Sequence, residues 1–372
     1  MADWLSWPFF ESTHRDLAER LRSWCGEHDF HHGTNVDEEC RTLVCELGAA
    51  GLLKLCTEGD VRSLAIARSV LAYQSGLADF AFAMQGLGSG AIRLFGSDDQ
   101  KAEWLPKVAS GEAIAAYALT EPATGSDAAN IAMAAQRDGN SWLLDGEKSY
   151  ISNGTIADLL TVFARTGEAG PKGISAFIVR GDDPGLSVAE RIEVIAPHPL
   201  AGLRFNGVRG ELLGAESDGF KVAMQTLNLF RVTVGAAALG FARRALDEAI
   251  AFASTRKLGD GMLADHAVTQ EKLADMATAI DASALLIARA AWQQDVGAND
   301  NRRAAAMAKL HATEEAQKVI DAAVQMHGGF GVTRGAKVEE LYREIRALRI
   351  YEGASEVQRQ IIARDLLKEH RP

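Results

Sequence analysis

Hydrophobic spacing changes character twice along the chain. Up to about residue 116, apolar positions recur at helical intervals: Leu17, Leu21 and Trp24, then Leu43 and Leu47, then Leu64, Val70 and Leu71. Gly86-Leu-Gly-Ser-Gly90 is expected to be one of the turns separating these helices. From about 117 to 220 the runs shorten to strands. Leu159–Ala164 and Gly173–Val179 are rich in β-branched and aromatic residues, and Asp145-Gly146 between the apolar runs of Ser141–Tyr150 predicts a hairpin turn. Beyond about 220, long Ala-rich amphipathic stretches return, with helices predicted over Phe220–Ala253, Thr269–Gln294 and Arg302–Met326. The expected fold class is α+β: a helical domain over 1–116, a β-domain over 117–220 and an antiparallel helical bundle over 221–372. The layout lacks the strand–helix alternation of a Rossmann fold, and the glycines at 86, 88 and 90 do not form its fingerprint.

Composition narrows the function. With 372 residues the chain has room for two or three domains, and its net charge of −11 argues against nucleic acid and anionic membranes as partners. No uninterrupted apolar run approaches the length of a membrane span. The start, Met1 to Phe10, has no basic segment before its short apolar run, which Pro8 interrupts, so a cytoplasmic location is expected. Cys25, Cys40, Cys45 and Cys56 lie near His28, His31 and His32, but match no standard zinc spacing. Reduced thiols beside surface histidines, and no metal, are the expectation.

Four segments could carry chemistry. In Arg349–Arg359, Glu352 lies between the apolar Ile350-Tyr351 pair and Gly353, and Ser355 with Gln358 has the spacing of a capping box. A carboxylate on a tight turn before a helix N-terminus suits a general base; it equally suits a solvated residue in a helix connection. In Tyr117–Asp127, Thr120, Thr124 and Ser126 place hydroxyls around Pro122 and Gly125, as a loop binding a flat heterocycle or a plain interdomain turn would. In Lys148–Gly154, Tyr150 and Ser152 are expected on one strand face, for a ring or for ordinary packing. Gln325–Gly331 ends a long helix in glycines that let a backbone approach a phosphate, or simply terminate the helix. Arg231, Arg256 and Arg334 are candidate phosphate partners.

Taken in order, these segments resemble the acyl-CoA dehydrogenase family over nearly the whole chain. The resemblance runs through Arg93–Ser97 with Gln100–Pro106, Leu119-Thr-Glu-Pro122 with Gly125-Ser-Asp127, and Asp145-Gly-Glu-Lys148. It continues through Ile151–Gly154, Gly219–Met224, Ala245–Ala249 and Gln325–Gly329 to Ile350-Tyr-Glu-Gly353. Each motif is weak alone; their ordered sum is specific, and nearest to the short- and medium-chain, butyryl-type members. The resemblance implies an N-terminal helical domain, a middle β-barrel or sandwich and a C-terminal four-helix bundle, with FAD between the last two. It assigns Tyr117, Leu119, Thr120, Gly125 and Ser126 to FAD, with Ser126 also serving CoA. Tyr150 and Ser152 would pack at the flavin, where Trp and Thr are the commoner residues. Arg256, Gln325, Gly328 and Gly329 would hold the FAD of a neighbouring subunit, implying a homo-oligomer, a dimer of dimers. Ala354 and Glu356 would complete the cofactor site. Arg231, Tyr351 and Gly353 would bind substrate, and Glu352 would be the catalytic base.

Some relatives place that base just before the residue aligned with Arg231, where this chain has Phe230. The implied reaction is α,β-dehydrogenation of a short- to medium-chain acyl-CoA, with electrons passed to an electron-transferring flavoprotein. An acyl-CoA oxidase, a dehydrogenase of carrier-bound acyl groups and a non-catalytic flavoprotein stand as alternatives. Three departures stand out: the contracted Arg256-Lys-Leu-Gly259, His266 in place of Gln, and a short linker expected over Leu203–Gly214.

Overall fold

The structure, a computed structural model, describes residues 4–30, 35–139, 141–298 and 301–369. Helices come first: α1 (Ser12–Glu27), α2 (Val36–Ala49), α3 (Lys54–Glu58), α4 (Val61–Gln74), α5 (Gly76–Phe95) and α6 (Asp98–Ser110). Strands follow: β1 (Ala115–Ala118), β2 (Ala134–Asp138), β3 (Ser141–Ser152), β4 (Leu159–Arg165), β5 (Ile174–Arg180), β6 (Leu186–Arg191) and β7 (Leu200–Leu213). Helix α7 (Gly219–Thr255), the small β8 (Lys257–Leu258) and β9 (Gly261–Met262) pair, α8 (Ala267–Asp295), α9 (Arg302–His327), α10 (Lys337–Leu348) and α11 (Ser355–Glu369) complete the chain. By packing, residues 1–30, 60–79 and 231–372 form one compact unit, and residues 31–59 and 80–230 form a second.

In the second unit the strands close on themselves. β4 pairs with β5, β5 with β7, β7 with β3, β3 with β2, and β2 returns to β4 through the parallel pair Ala134↔Arg165. This is a barrel, with β1 added beside β4 and β6 beside β7. The period of two explains its core. Leu160, Val162 and Ala164 of β4 join Trp142, Leu144, Phe177 and Leu203 in one apolar cluster. Leu159 and Phe163 face the other way, into a cluster with Ile92, Trp104, Ile178 and Val222. β4 and β5 read as continuous apolar runs because both their faces are covered.

Several local expectations are corrected. Gly86, Gly88 and Gly90 do not form a turn; α5 runs through them. A Cβ on Gly86 or Gly90 would sit 2.6 Å from the Phe230 ring, and one on Gly88 would sit 2.7 Å from Ala115. These glycines serve close packing, which outweighs their poor helix propensity. Asp145-Gly146 is not a hairpin turn. β3 continues through it with a register shift between Leu144 and Gly146, and Gly146 has φ +144°. The β2–β3 ladder instead begins at Asp138↔Ser141. The stretch expected as a linker over 203–214 is most of β7, which pairs with three other strands.

In the first unit, α9 packs against α8, α10 and α11, and α4 packs against α1 and α8. Helix α7 is long and apolar enough by composition to cross a membrane, but 78% of its most apolar window is buried inside the protein, as in a core helix. Cys25, Cys40 and Cys56 are buried free thiols and Cys45 is exposed. Among the described residues no cluster of three metal-ligating side chains occurs; His31 and His32 lie outside them.

Candidate active site

Glu352 lies in the first unit, on the turn between α10 and α11. Its backbone is left-handed, with φ +52°, and Gly353 follows at φ +89°. A non-glycine residue held there costs about 1–3 kcal/mol, so the surroundings must hold it. They do. Helix α9 supplies Lys309, which is 1% exposed, and its Nζ donates to the carbonyls of Tyr351 and Gly353 (2.6 Å to the latter). One turn and a half further along α9, Glu314 accepts two bonds from Arg349 (3.0 and 2.8 Å) and one from the Ser355 hydroxyl. Gln358 Nε2 donates to the Gly353 carbonyl at 2.7 Å. The capping box expected between Ser355 and Gln358 is therefore absent. Both side chains are spent on the turn, and Ser355 is the first helical residue of α11.

The Glu352 side chain keeps some exposed surface, yet its Oε2 is buried with no hydrogen-bond partner. Burial lifts its carboxyl above the usual carboxylate range, against the pull of Arg68, Lys309 and Arg231. Burial likewise pushes the Lys309 ammonium down to about 7, opposed by Glu352 and reinforced by Arg231. Arg231 is itself buried, which lowers its pKa. Arg68 is paired with Asp79 through two bonds (2.9 and 2.7 Å), donates to Thr233 at 3.3 Å, and hydrogen-bonds the Tyr351 phenol. No backbone bond of the turn uses the Glu352 N–H: Tyr351 N–H goes to Ala347 and Ser355 N–H to Arg349. One residue thus presents an uncommitted carboxylate oxygen and an uncommitted donor. Ala354, beside it, accepts the Gln358 N–H, and Glu356 is exposed on the first turn of α11.

A second feature of the same unit is an open cavity of about 700 Å³ lined by Arg256, Lys257, His327, Gly328, Gly329 and Phe330, among others. Gly328 has φ +60°, and a Cβ on either glycine would meet nothing within 4 Å. Bare backbone beside a guanidinium is what an anionic diphosphate needs. Gln325 is exposed and does not line the cavity; its carbonyl accepts the Gly328 N–H.

In the second unit, the segment from Tyr117 to Ser126 is tied down by a buried ion pair. Lys148 Nζ donates to Glu121 (2.9 Å) and to the Leu119 carbonyl (3.1 Å). Glu121 also accepts the N–H groups of Ala132 (2.6 Å) and Met133 (3.0 Å), and Ser149 N–H reaches the Thr120 carbonyl (2.9 Å). Burial pushes Lys148 down to about 8, against Glu121. Gly125 and Ser126 are exposed beyond this anchor, with nothing within 4 Å of a Cβ on Gly125. The Tyr117 hydroxyl is committed to the Ala223 carbonyl at 3.2 Å. The alternation expected to align Tyr150 with Ser152 is broken, because Tyr150 has φ +56° at a register shift. Tyr150 is 62% exposed and Ser152 half-buried. Glu121 and Lys148 stood in sequence motifs, but their pairing was not foreseen, and Lys309 was missed. Its signal is a charged residue on an apolar stripe, in line with Ala305, Ala312 and Ala316.

The comparisons agree with this fold. Profiles for the acyl-CoA dehydrogenase N-terminal, middle and C-terminal domains match residues 11–112, 116–208 and 217–367. The chain is 39% identical over 282 residues to 3-(aryl)acrylate reductase of Clostridium sporogenes (strain ATCC 15579), covering 74% of each. It is 35% identical over 378 residues to the mitochondrial short-chain specific acyl-CoA dehydrogenase of Bos taurus, covering 96% of this chain and 91% of the relative. Among solved structures, an acyl-CoA dehydrogenase complexed with FAD from Bacillus anthracis superposes with a TM-score of 0.90 at 28% identity, covering 97% of this chain and 67% of that one. The chain belongs to the acyl-CoA dehydrogenase family. As such it is a flavin-dependent oxidoreductase that dehydrogenates acyl-CoA.

Proposed function

We propose that the protein uses FAD to convert a short- to medium-chain acyl-CoA to the trans-2-enoyl-CoA, with Glu352 taking the α-proton. The observation that carries this reading is the orphaned Oε2 of Glu352 on a turn held in a left-handed conformation. A carboxylate whose proton affinity is raised by burial is a better base than a solvated one. Its own N–H, outside the turn's hydrogen bonds, suits the thioester carbonyl, whose polarisation makes the α-proton acidic. Arg231 and Tyr351 flank the base and would shape the acyl and CoA site, with Gly353 beside it giving the turn its second left-handed residue. Phe230, packed against Gly86 and Gly90, offers no carboxylate at the position other family members use.

FAD fits the residues present. The open glycines Gly328 and Gly329 beside Arg256 suit a diphosphate, and in this reading Leu119, Thr120, Gly125, Ser126, Tyr150 and Ser152 would meet the ring and its attached chain. FAD, when bound, supplies an acceptor for the β-hydrogen and its electron pair. Tyr117 contributes through its backbone and ring, since its hydroxyl is engaged. Ala354 and Glu356 would border the cofactor through the start of α11. Exposed Phe330 (58%) and Val332 (71%) beside the glycines support a homo-oligomer, a dimer of dimers in this reading. An electron-transferring flavoprotein is the proposed acceptor, and the cytoplasm the proposed location, consistent with free cysteines.

The test is an anaerobic panel of straight, branched and aryl-substituted acyl-CoA thioesters, read by loss of the oxidised flavin absorbance. Bleaching by short or medium chains supports the reading. Bleaching by none of them contradicts it. Peroxide release matching turnover in air would make the protein an oxidase instead.

A further inference from the structure

The turn carrying Glu352 is held by a lysine that bonds no carboxylate. Lys309 is buried on α9, and its Nζ is committed to two backbone carbonyls, one on each side of Glu352. Those two bonds bracket the residue whose φ is +52° and fix the peptide planes through which its side chain and N–H are aimed. The same ammonium is a positive charge bearing on the Glu352 carboxylate. Neighbouring pairs are otherwise closed: Arg68 is bonded to Asp79, Glu314 to Arg349, and Arg302 to Asp365. Arg68, first in size, and Arg231 also favour Glu352 ionisation; Arg231 favours Lys309 neutrality as well, and the Tyr351 phenol bonds to Arg68.

We infer that Lys309 is a positioning residue for the base: it holds the Tyr351–Gly353 turn by two carbonyl contacts and supplies charge against which Glu352 ionises. This rests on the reading of Glu352 as the base. A lysine that merely satisfied two buried carbonyls would affect stability and leave the ionisation of Glu352 alone.

The experiment compares Lys309→Met, Lys309→Gln and Glu352→Gln with the wild-type holoenzyme, and Lys318→Met as a surface control. Two readouts are taken: the pH profile of kcat/KM for an accepted acyl-CoA, and deuterium exchange of the 349–355 amides in the absence of substrate. Lys309→Met should lower kcat about 100-fold, with KM changing far less. It should move the acid limb upward by about one pH unit, because the carboxylate loses a neighbouring cation. Exchange of the turn should rise at least about tenfold, reporting the opened turn independently of turnover. Lys309→Gln, which can still donate to one carbonyl, should show the limb shift with a smaller rise in exchange, and it serves if the Met variant fails to fold. An unmoved acid limb in both Lys309 variants, with Glu352→Gln inactive, overturns the positioning inference alone. A fully active Glu352→Gln overturns the base assignment and this inference with it.

Discussion

Two buried lysines anchor the two loops on which this protein depends, and they do it differently. Lys148, in the second unit, meets a carboxylate: Glu121 at 2.9 Å, itself bonded to two backbone N–H groups. Lys309, in the first unit, meets carbonyls, and the nearby carboxylate of Glu352 is left with an oxygen that has no partner. The first arrangement is a closed pair that fixes a loop. The second withholds the hydrogen bond that would quench a base, while the cation stays close enough to let it ionise. Burial pushes the two lysines down to about 8 and about 7 respectively, opposed by Glu121 in the first and by Glu352 in the second, where Arg231 adds to the fall.

The sharpest break of this contrast comes from the carboxylates. Glu352→Gln should lower the rate of acyl-CoA dehydrogenation by about 10³-fold or more, with FAD retained and thermal stability nearly unchanged or raised. Glu121→Gln should instead loosen the Tyr117–Ser126 loop and shed FAD in gel filtration. Next in size, Lys148→Met should cost about 3 kcal/mol in denaturant unfolding, because it leaves Glu121 buried without its cation. Lys309→Met should cost about 1–2 kcal/mol, since it strands carbonyls only, and the Gly353 carbonyl keeps Gln358. Equal stability losses with equal shifts in the pH profile would erase the distinction.

The pH dependence follows from the raised carboxyl of Glu352. With Glu352 as the proposed base the active form is the carboxylate, so kcat/KM should fall as acid protonates it, with a midpoint above the ordinary glutamate value of about 4.3. A midpoint at or below that value would mean the carboxylate is better solvated than the structure shows. The smallest effect concerns the groove at Gly328 and Gly329, proposed to take the FAD diphosphate. Gly329→Val should fold normally, because nothing lies within 4 Å of its new Cβ, yet weaken FAD retention about tenfold by crowding the diphosphate. Unchanged FAD content would remove this groove from the cofactor site.

How much of this the sequence reveals depends on the range of the interaction. The long helices are legible because their apolar stripes persist: Gly219–Thr255, Ala267–Asp295 and Arg302–His327 begin and end within two residues of the expectation. The misreadings occur where a distant partner decides. Gly86-Leu-Gly-Ser-Gly90 looks like a turn until the Phe230 ring is packed against it. Asp145-Gly146 looks like a hairpin until β7 is laid beside β3, when it becomes a bulge with Asp145 accepting the Gly207 N–H at 2.8 Å. Ser355 and Gln358 have capping-box spacing, but Glu314 and the Gly353 carbonyl claim them first. Glu352 itself was visible through its motif. Lys309 was not: its place on the stripe of Ala305, Ala312 and Ala316 marks it as buried, but gives no sign of which carbonyls its ammonium meets.

The central claim is that Glu352 is the base and that its turn is built for that role. The most direct measurement is stopped-flow anaerobic mixing of FAD-loaded wild type and Glu352→Gln with a butyryl-type acyl-CoA, following the oxidised flavin band. Rapid bleaching is expected in the wild type and essentially none in Glu352→Gln at equal FAD content. Bleaching of Glu352→Gln at the wild-type rate would contradict the claim.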